Sequence, residues 1–222
     1  LSNTNHWMRP GNYGIQAVKE DCISILWTNT TPNMPAWGGK DAKLGNNPIV
    51  IAVPYADAPV IVDVAMSMFS YGKLEKYRRE GVMCPVDGGI DKDGNISRDP
   101  GKILETHQVL PIGYWKGSGL SLVLDLVAAS LAGGATTRLV GKEDTETNLS
   151  QIFIAFDLSK ASDRARIEEE IGNTLKDLQS SEPLEEGVHV HYPGQGMKRT
   201  AEESMKNGVF ADDSLWKTVL EL

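Results

Sequence analysis

The sequence predicts an α/β fold, a mixed sheet with flanking helices. Three observations carry that expectation. Several short runs are β-branched or apolar with no breaker, and two longer segments repeat apolar residues at the spacing of one helix face. Strands and helices also alternate too irregularly for a repeated strand–helix barrel.

Taken in order, residues 15–20 fit the end of a short helix, and residues 23–28 (Ile-Ser-Ile-Leu-Trp-Thr) read as a strand. Residues 31–47, rich in Gly, Pro and Asn, read as loop. Residues 48–53 and 59–64 are two apolar runs either side of Pro54-Tyr55-Ala56-Asp57-Ala58, read as buried strands forming a hairpin. A helical pattern over residues 69–79 stops at Gly81, whereas residues 84–110, rich in Asp, Gly and Pro, should wind over the surface. Residues 117–131 are expected to form a core helix: Leu120, Val123, Leu124, Val127 and Leu131 recur at helical spacing and Gly133-Gly134 ends the run. Residues 151–157 read as a strand. Residues 164–179 form an amphipathic helix with Ile167, Ile171, Leu175 and Leu178 inward, and residues 213–222 close the chain as a short helix.

Composition narrows the function. The 222 residues hold 22 Lys and Arg against 30 Asp and Glu, a net charge of −8, which argues against a nucleic-acid partner that needs surplus cations. The longest apolar run, residues 120–132, is broken by Ser121, Asp125 and Ser130. It falls short of the ~20 apolar residues a membrane span takes. Residues 1–6 lack the charged and apolar regions of a signal peptide, and Cys22 and Cys84 read as two thiols in a reducing, cytoplasmic setting.

The usual phosphate-binding glycine fingerprints are missing. Gly113-Tyr114-Trp115-Lys116-Gly117-Ser118-Gly119 comes closest. Small residues before a helix N-terminus let backbone N–H groups approach an anion and Lys116 adds charge, although the same stretch also suits a loop that only caps the helix. His6, between Asn5 and Trp7 and close to Arg9, suits either a structural hydrogen bond or the orientation of a carboxylate or keto oxygen. His189 and His191 lie on one side of an extended segment but lack further metal ligands at suitable spacing, so no metal site is expected. Asp63 interrupts an apolar strand run. A buried carboxylate is costly there unless it meets a salt bridge or a ligand hydroxyl.

Several strings occur together: Asn3-Thr4-Asn5-His6-Trp7-Met8-Arg9, Gly45-Asn46-Asn47-Pro48, Met66-Ser67-Met68-Phe69-Ser70-Tyr71-Gly72, Gly113 to Gly119 as above, Ser150-Gln151-Ile152-Phe153-Ile154-Ala155, and Asp212-Asp213-Ser214-Leu215-Trp216. In this order they resemble the malate/L-lactate dehydrogenase-like family of NAD(P)-dependent reductases, across nearly the whole chain. The resemblance implies a non-Rossmann NAD-binding fold, NAD as cofactor with NADH ahead of NADPH, a small 2-oxo-acid substrate, and a cytoplasmic homodimer. The family's cofactor stretches fall on Pro59, Val60, Ile61, Val62, Asp63, Val64 and Ala65, on Trp115 and Lys116, and on Gly194, Gln195 and Gly196. Its substrate contacts fall on His6 and on Asn46, where the family usually has Thr. Residues 1–160 should then hold the cofactor-binding and substrate-pocket core, and residues 161–222 a helical segment completing the cofactor site.

Family members also carry an upstream Ser-His-Gly motif, whose histidine donates the proton, and a substrate-binding arginine. Neither occurs here, so the chain reads as N-terminally truncated by about a third. Two functions compete: the larger part of an enzyme reducing a diketo sugar acid or similar 2-oxo acid, and a non-catalytic remnant that binds dinucleotide or a homologous subunit.

Overall fold

Strands β1 (Cys22–Thr28), β4 (Ile49–Val53), β5 (Val60–Val64) and β8 (Gln151–Asp157) form one sheet in the order β5-β4-β1-β8. The computed structural model describes residues 1–209 and 211–222, and of Ser214 and Leu215 the backbone. Helix α1 (Gly11–Lys19) precedes these strands, and between them lie the short β2 (Met34–Pro35) and β3 (Ala42–Leu44), α2 (Tyr71–Glu80), β6 (Gly89–Ile90), β7 (Ile96–Ser97), α3 (Pro100–Thr106), α4 (Trp115–Ala132) and α5 (Thr137–Val140). Then follow α6 (Arg164–Gln179), α7 (Met197–Asn207) and α8 (Asp213–Leu220). The chain divides into two compact units, Leu1–Val53 with Ile61–Lys160, and Pro54–Val60 with Ala161–Leu222.

In the first unit β1 pairs antiparallel with β4 and β8, with Ile25 opposite both Ile51 and Ile154. Side chains alternate faces along a strand, so Trp27, Ile152 and Ile49 share one face and meet Ala128 and Leu124 of α4. The opposite face, carrying Val50 and Ala52, receives α1. A Cβ on Gly14 would come within 3.0 Å of Val50 and 3.1 Å of Ala52, so glycine permits the close approach. Helices thus flank both faces of the sheet, as the sequence implied.

Three expectations are corrected. Residues 84–110 do not simply wind over the surface. With α2 they build a second core of Leu74, Cys84, Ile103, Leu104 and Val109, beside the β6–β7 pair. Helix α4 forms over almost the expected span, but its apolar stripe is not the face that is buried. Gly117, Ser121, Asp125 and Ala128 point inward, whereas Leu120, Val123, Val127 and Leu131 stand exposed. The reason is hydrogen bonding. Asp125 accepts from Asn29 Nδ2 (2.8 Å) and from Thr137 N–H (2.7 Å), and Asn47 Nδ2 donates to the Ser121 carbonyl (2.9 Å). Residues 31–47, expected as loop, contain the small antiparallel β2–β3 pair.

In the second unit, Asp163 caps α6 by accepting from Arg166 N–H, and Leu175 is buried, though Leu178 is exposed. The segment 54–60 belongs to this unit through Tyr55, packed near Gly172, and through the Tyr192 hydroxyl, which donates to the Ala58 carbonyl (3.2 Å). Among the described residues no helix is long and apolar enough to cross a membrane, and no group of three or more His, Cys, Asp or Glu could hold a metal.

Candidate active site

His6 and Asn46 line one cavity of about 380 Å³, together with Thr30, Thr31, Asn33, Tyr71, His107 and Glu146. The N-terminal segment carrying His6 is fixed by backbone pairing of Thr4 with Leu149, by Gln151 N–H donating to the Leu1 carbonyl, and by the Gln151 amide donating to the Asn5 carbonyl. Next along the chain, Trp7 is buried against Tyr13 and Phe153. Met8 takes the left-handed region (φ 62°), which turns its N–H back onto His6 Nδ1 at 2.9 Å.

That bond determines the imidazole tautomer. Nδ1 accepts, so in the neutral ring Nε2 carries the proton and is a donor. Asn46 is held in a complementary way: its Oδ1 accepts from the Thr30 hydroxyl and from Asn33 Nδ2, each at 3.0 Å, which leaves the Asn46 Nδ2 group to donate. The glycine before it is required. A Cβ on Gly45 would overlap the side chains of Asn47 and Thr30.

Acceptors line the cavity as well. Glu146 Oε2 takes the Thr31 N–H at 3.1 Å, leaving its other oxygen, and Asn33 Oδ1 is buried with no hydrogen-bond partner. The Tyr71 hydroxyl shares its one proton between the carbonyls of Asn33 (3.0 Å) and His107 (2.9 Å), and burial pushes its pKa up to about 12, so it stays a neutral phenol. Sequence reading missed Asn33, Tyr71, His107 and Glu146. Tyr71 sat inside a quoted string, but nothing in linear order indicates that these four converge with His6.

The cofactor candidates are placed separately. Asp63 is exposed rather than buried, because it sits at the end of β5; its Oδ2 accepts from Gly11 N–H (2.9 Å) at the start of α1. Ile61 is buried, Val62 and Ala65 are half-buried, and Val64 is exposed. Lys116 Nζ lies 6.0 Å from the exposed Trp115 ring at the start of α4. The backbone there is partly committed, since the N–H groups of Lys116 and Gly117 donate to the carbonyls of Gly113 and Ile112. In the second unit lie half-buried Pro59 and Val60, and Gly194, Gln195 and Gly196, which form the turn into α7 with Gly194 at φ 93°. There Gln195 Oε1 takes the Tyr192 N–H and meets His191.

The malate/L-lactate dehydrogenase family model matches residues 1–220. The 2,3-diketo-L-gulonate reductase of Citrobacter koseri is 42% identical over the whole chain, which spans 67% of that relative. Among solved structures, sulfolactate dehydrogenase from Methanocaldococcus jannaschii superposes with a TM-score of 0.83 at 30% identity, over 97% of this chain and 62% of that one. Malate dehydrogenase from Entamoeba histolytica gives 0.90 at 24%, over 99% and 65%. The chain therefore spans about two thirds of the length of these proteins, and along that length it belongs to the malate/L-lactate dehydrogenase family.

Proposed function

We propose that this chain is the cofactor-binding and C-terminal portion of a nicotinamide-dependent reductase of a 2-oxo acid of the 2,3-diketo-L-gulonate type. One observation carries the reading: His6 and Asn46 line a single cavity, and their donor groups, Nε2–H and Nδ2, have no hydrogen-bond partner among the described residues. Two convergent donors suit a carboxylate or keto oxygen. The hydride is supplied by the bound nicotinamide. For that dinucleotide, NAD rather than NADP, the exposed Asp63 has one oxygen beyond its Gly11 bond to accept ribose hydroxyls. Lys116 offers an ammonium to phosphate and Trp115 a face for stacking.

His6 acts in this reading as an orienting donor. Its Nδ1 is already engaged by the Met8 N–H, so the ring is held in one orientation. The proton for the new hydroxyl then comes from the family's upstream histidine, and the active form is a cytoplasmic homodimer that includes the remaining third.

The test is NADH consumption by the 222-residue chain and by a fusion carrying the missing third of the C. koseri relative ahead of Leu1. The chain alone should be slower by roughly 10²–10⁴-fold, the contribution of a positioned acid. In the fusion, His6→Ala should raise KM more than it lowers kcat. A fully active isolated chain whose turnover vanishes in His6→Ala would make His6 the proton donor and overturn this assignment. Asp63→Asn should weaken NADH binding by about 1.5–3 kcal/mol. Unchanged affinity in calorimetry would reduce Asp63 to an anchor for α1.

A further inference from the structure

Helix α4 runs through residues 115–132 with one charged side chain after Lys116, and that one, Asp125, is turned inward to Asn29 and Thr137. Its outward side is apolar. Val123 is 55% exposed and Leu131 68%, with Leu120, Leu122 and Leu126 also exposed. The bare surface continues onto the sheet. Register puts Ile51 and Phe156 on the face that α4 covers, because Ile51 lies opposite Ile25, and Phe156 opposite Ile23, two residues along from the Trp27 cluster. Yet Ile51 is 39% exposed and Phe156 54%. That sheet face is covered at its Trp27 end and open at its Ile23 end, beside a helix with apolar residues outside as well as in.

A helix apolar nearly all round is an interior element, not a surface one. Interfaces between separately folded subunits keep a polar rim, and the outward side of α4 offers no charge between Gly117 and Leu131. The relatives that match this chain along its whole length carry half as much chain again.

We propose that the outer side of α4, with Ile51 and Phe156, is the seat of that remaining third of the family polypeptide, which supplies an apolar layer beside α4 and completes the core on this face of the sheet. The proposal rests on the reading that the complete protein includes that third, and it specifies where the third attaches. Burying exposed Leu, Val and Phe side chains is the driving term.

The experiment co-expresses the tagged 222-residue chain with the remaining third of the C. koseri relative and measures capture. The double variant Val123→Glu/Leu131→Glu should reduce capture at least tenfold, while Lys19→Glu on α1 leaves it unchanged. Both glutamates replace exposed side chains, so circular dichroism should match the parent. As a second measurement, the fusion should bind an apolar-surface dye at least tenfold less than the chain alone. The proposal is overturned if capture fails and the fusion binds dye as strongly as the chain, or if the glutamate pair leaves capture intact. It is also overturned if the face is occupied by a second copy that persists beside the added third. A complex that forms but does not oxidise NADH leaves the docking standing and removes the reductase reading.

Discussion

Apart from the apolar contact of α4 with Trp27 and Ile152, the first unit contains two buried regions of opposite chemistry. Beneath α4 lie Asn29, Asn47, Ser121, Asp125 and Thr137, all buried and linked by hydrogen bonds between residues up to 96 positions apart. Beside α2 and α3 lie Leu74, Cys84, Ile103, Leu104 and Val109, joined by contact alone. The polar core supports the cavity, because Asn47 Oδ1 takes the N–H of Thr30, whose hydroxyl in turn holds Asn46. Buried polar groups tolerate few arrangements, since each misplaced donor costs its desolvation, whereas an apolar cluster tolerates repacking. The difference locates geometric precision at the residues that line the cavity and plain cohesion away from them.

The largest effect should come from the polar core. Asp125→Ala leaves the Thr137 N–H buried without its acceptor and removes one of two acceptors of Asn29 Nδ2. Bonds to a charged group contribute about 1.5–3 kcal/mol each, so the loss should be roughly 3–5 kcal/mol in urea unfolding. Asp125→Asn keeps an acceptor oxygen and should recover most of that. If alanine and asparagine cost the same small amount, the polar core is not what turns α4, and the comparison breaks.

Ile103→Ala probes the other core. Ile103 is fully buried, and Gly88 and Gly89 lie so close that a Cβ on either would crowd its side chain. Truncation should cost about 3 kcal/mol from lost burial and the cavity left behind. Ile103→Val should cost about 1 kcal/mol, the graded response of an apolar cluster. An all-or-none loss with valine would mean that this core is as exacting as the polar one.

The same contrast explains what was legible in the sequence. Helix α6 begins and ends where its periodicity places it, because an apolar face is a local signal, although Leu178 at its end is exposed. The Gly-, Asp- and Pro-rich run 84–110 looked like surface because its punctuation is turn-like, yet Cys84, Ile103 and Val109 are widely spaced apolar residues that meet only after α3 packs on α2. The orientation of α4 was misread for the opposite reason. Periodicity favoured Leu120, Val123 and Val127, but partners far along the chain selected Ser121 and Asp125. His6 and Asn46 came from resemblance, whereas Asn33, Tyr71, His107 and Glu146 join them only in three dimensions.

Tyr71 gives the smallest and most discriminating test, because it joins the apolar cluster to the cavity that the polar core supports. It begins α2 and packs on the apolar cluster, while its hydroxyl donates to the Asn33 and His107 carbonyls at the cavity. Tyr71→Phe keeps the ring and removes the hydroxyl's one donation, shared between two carbonyls, so it should cost about 1–2 kcal/mol near neutral pH. Its titration separates the contributions further. Burial raises the folded pKa from 10.0 to about 12, so the stability tied to the neutral phenol is fully present below pH 10. Between pH 10 and 12 the unfolded chain ionises while the folded one does not, and that stability is lost as pH rises. Other groups titrate in the same window, so the measurable quantity is the difference between parent and Tyr71→Phe, which should narrow steadily above pH 10. A difference that stays constant to pH 12 would mean the phenol is solvated like a surface tyrosine, and the apolar cluster would then reach the cavity through the Tyr71 ring alone.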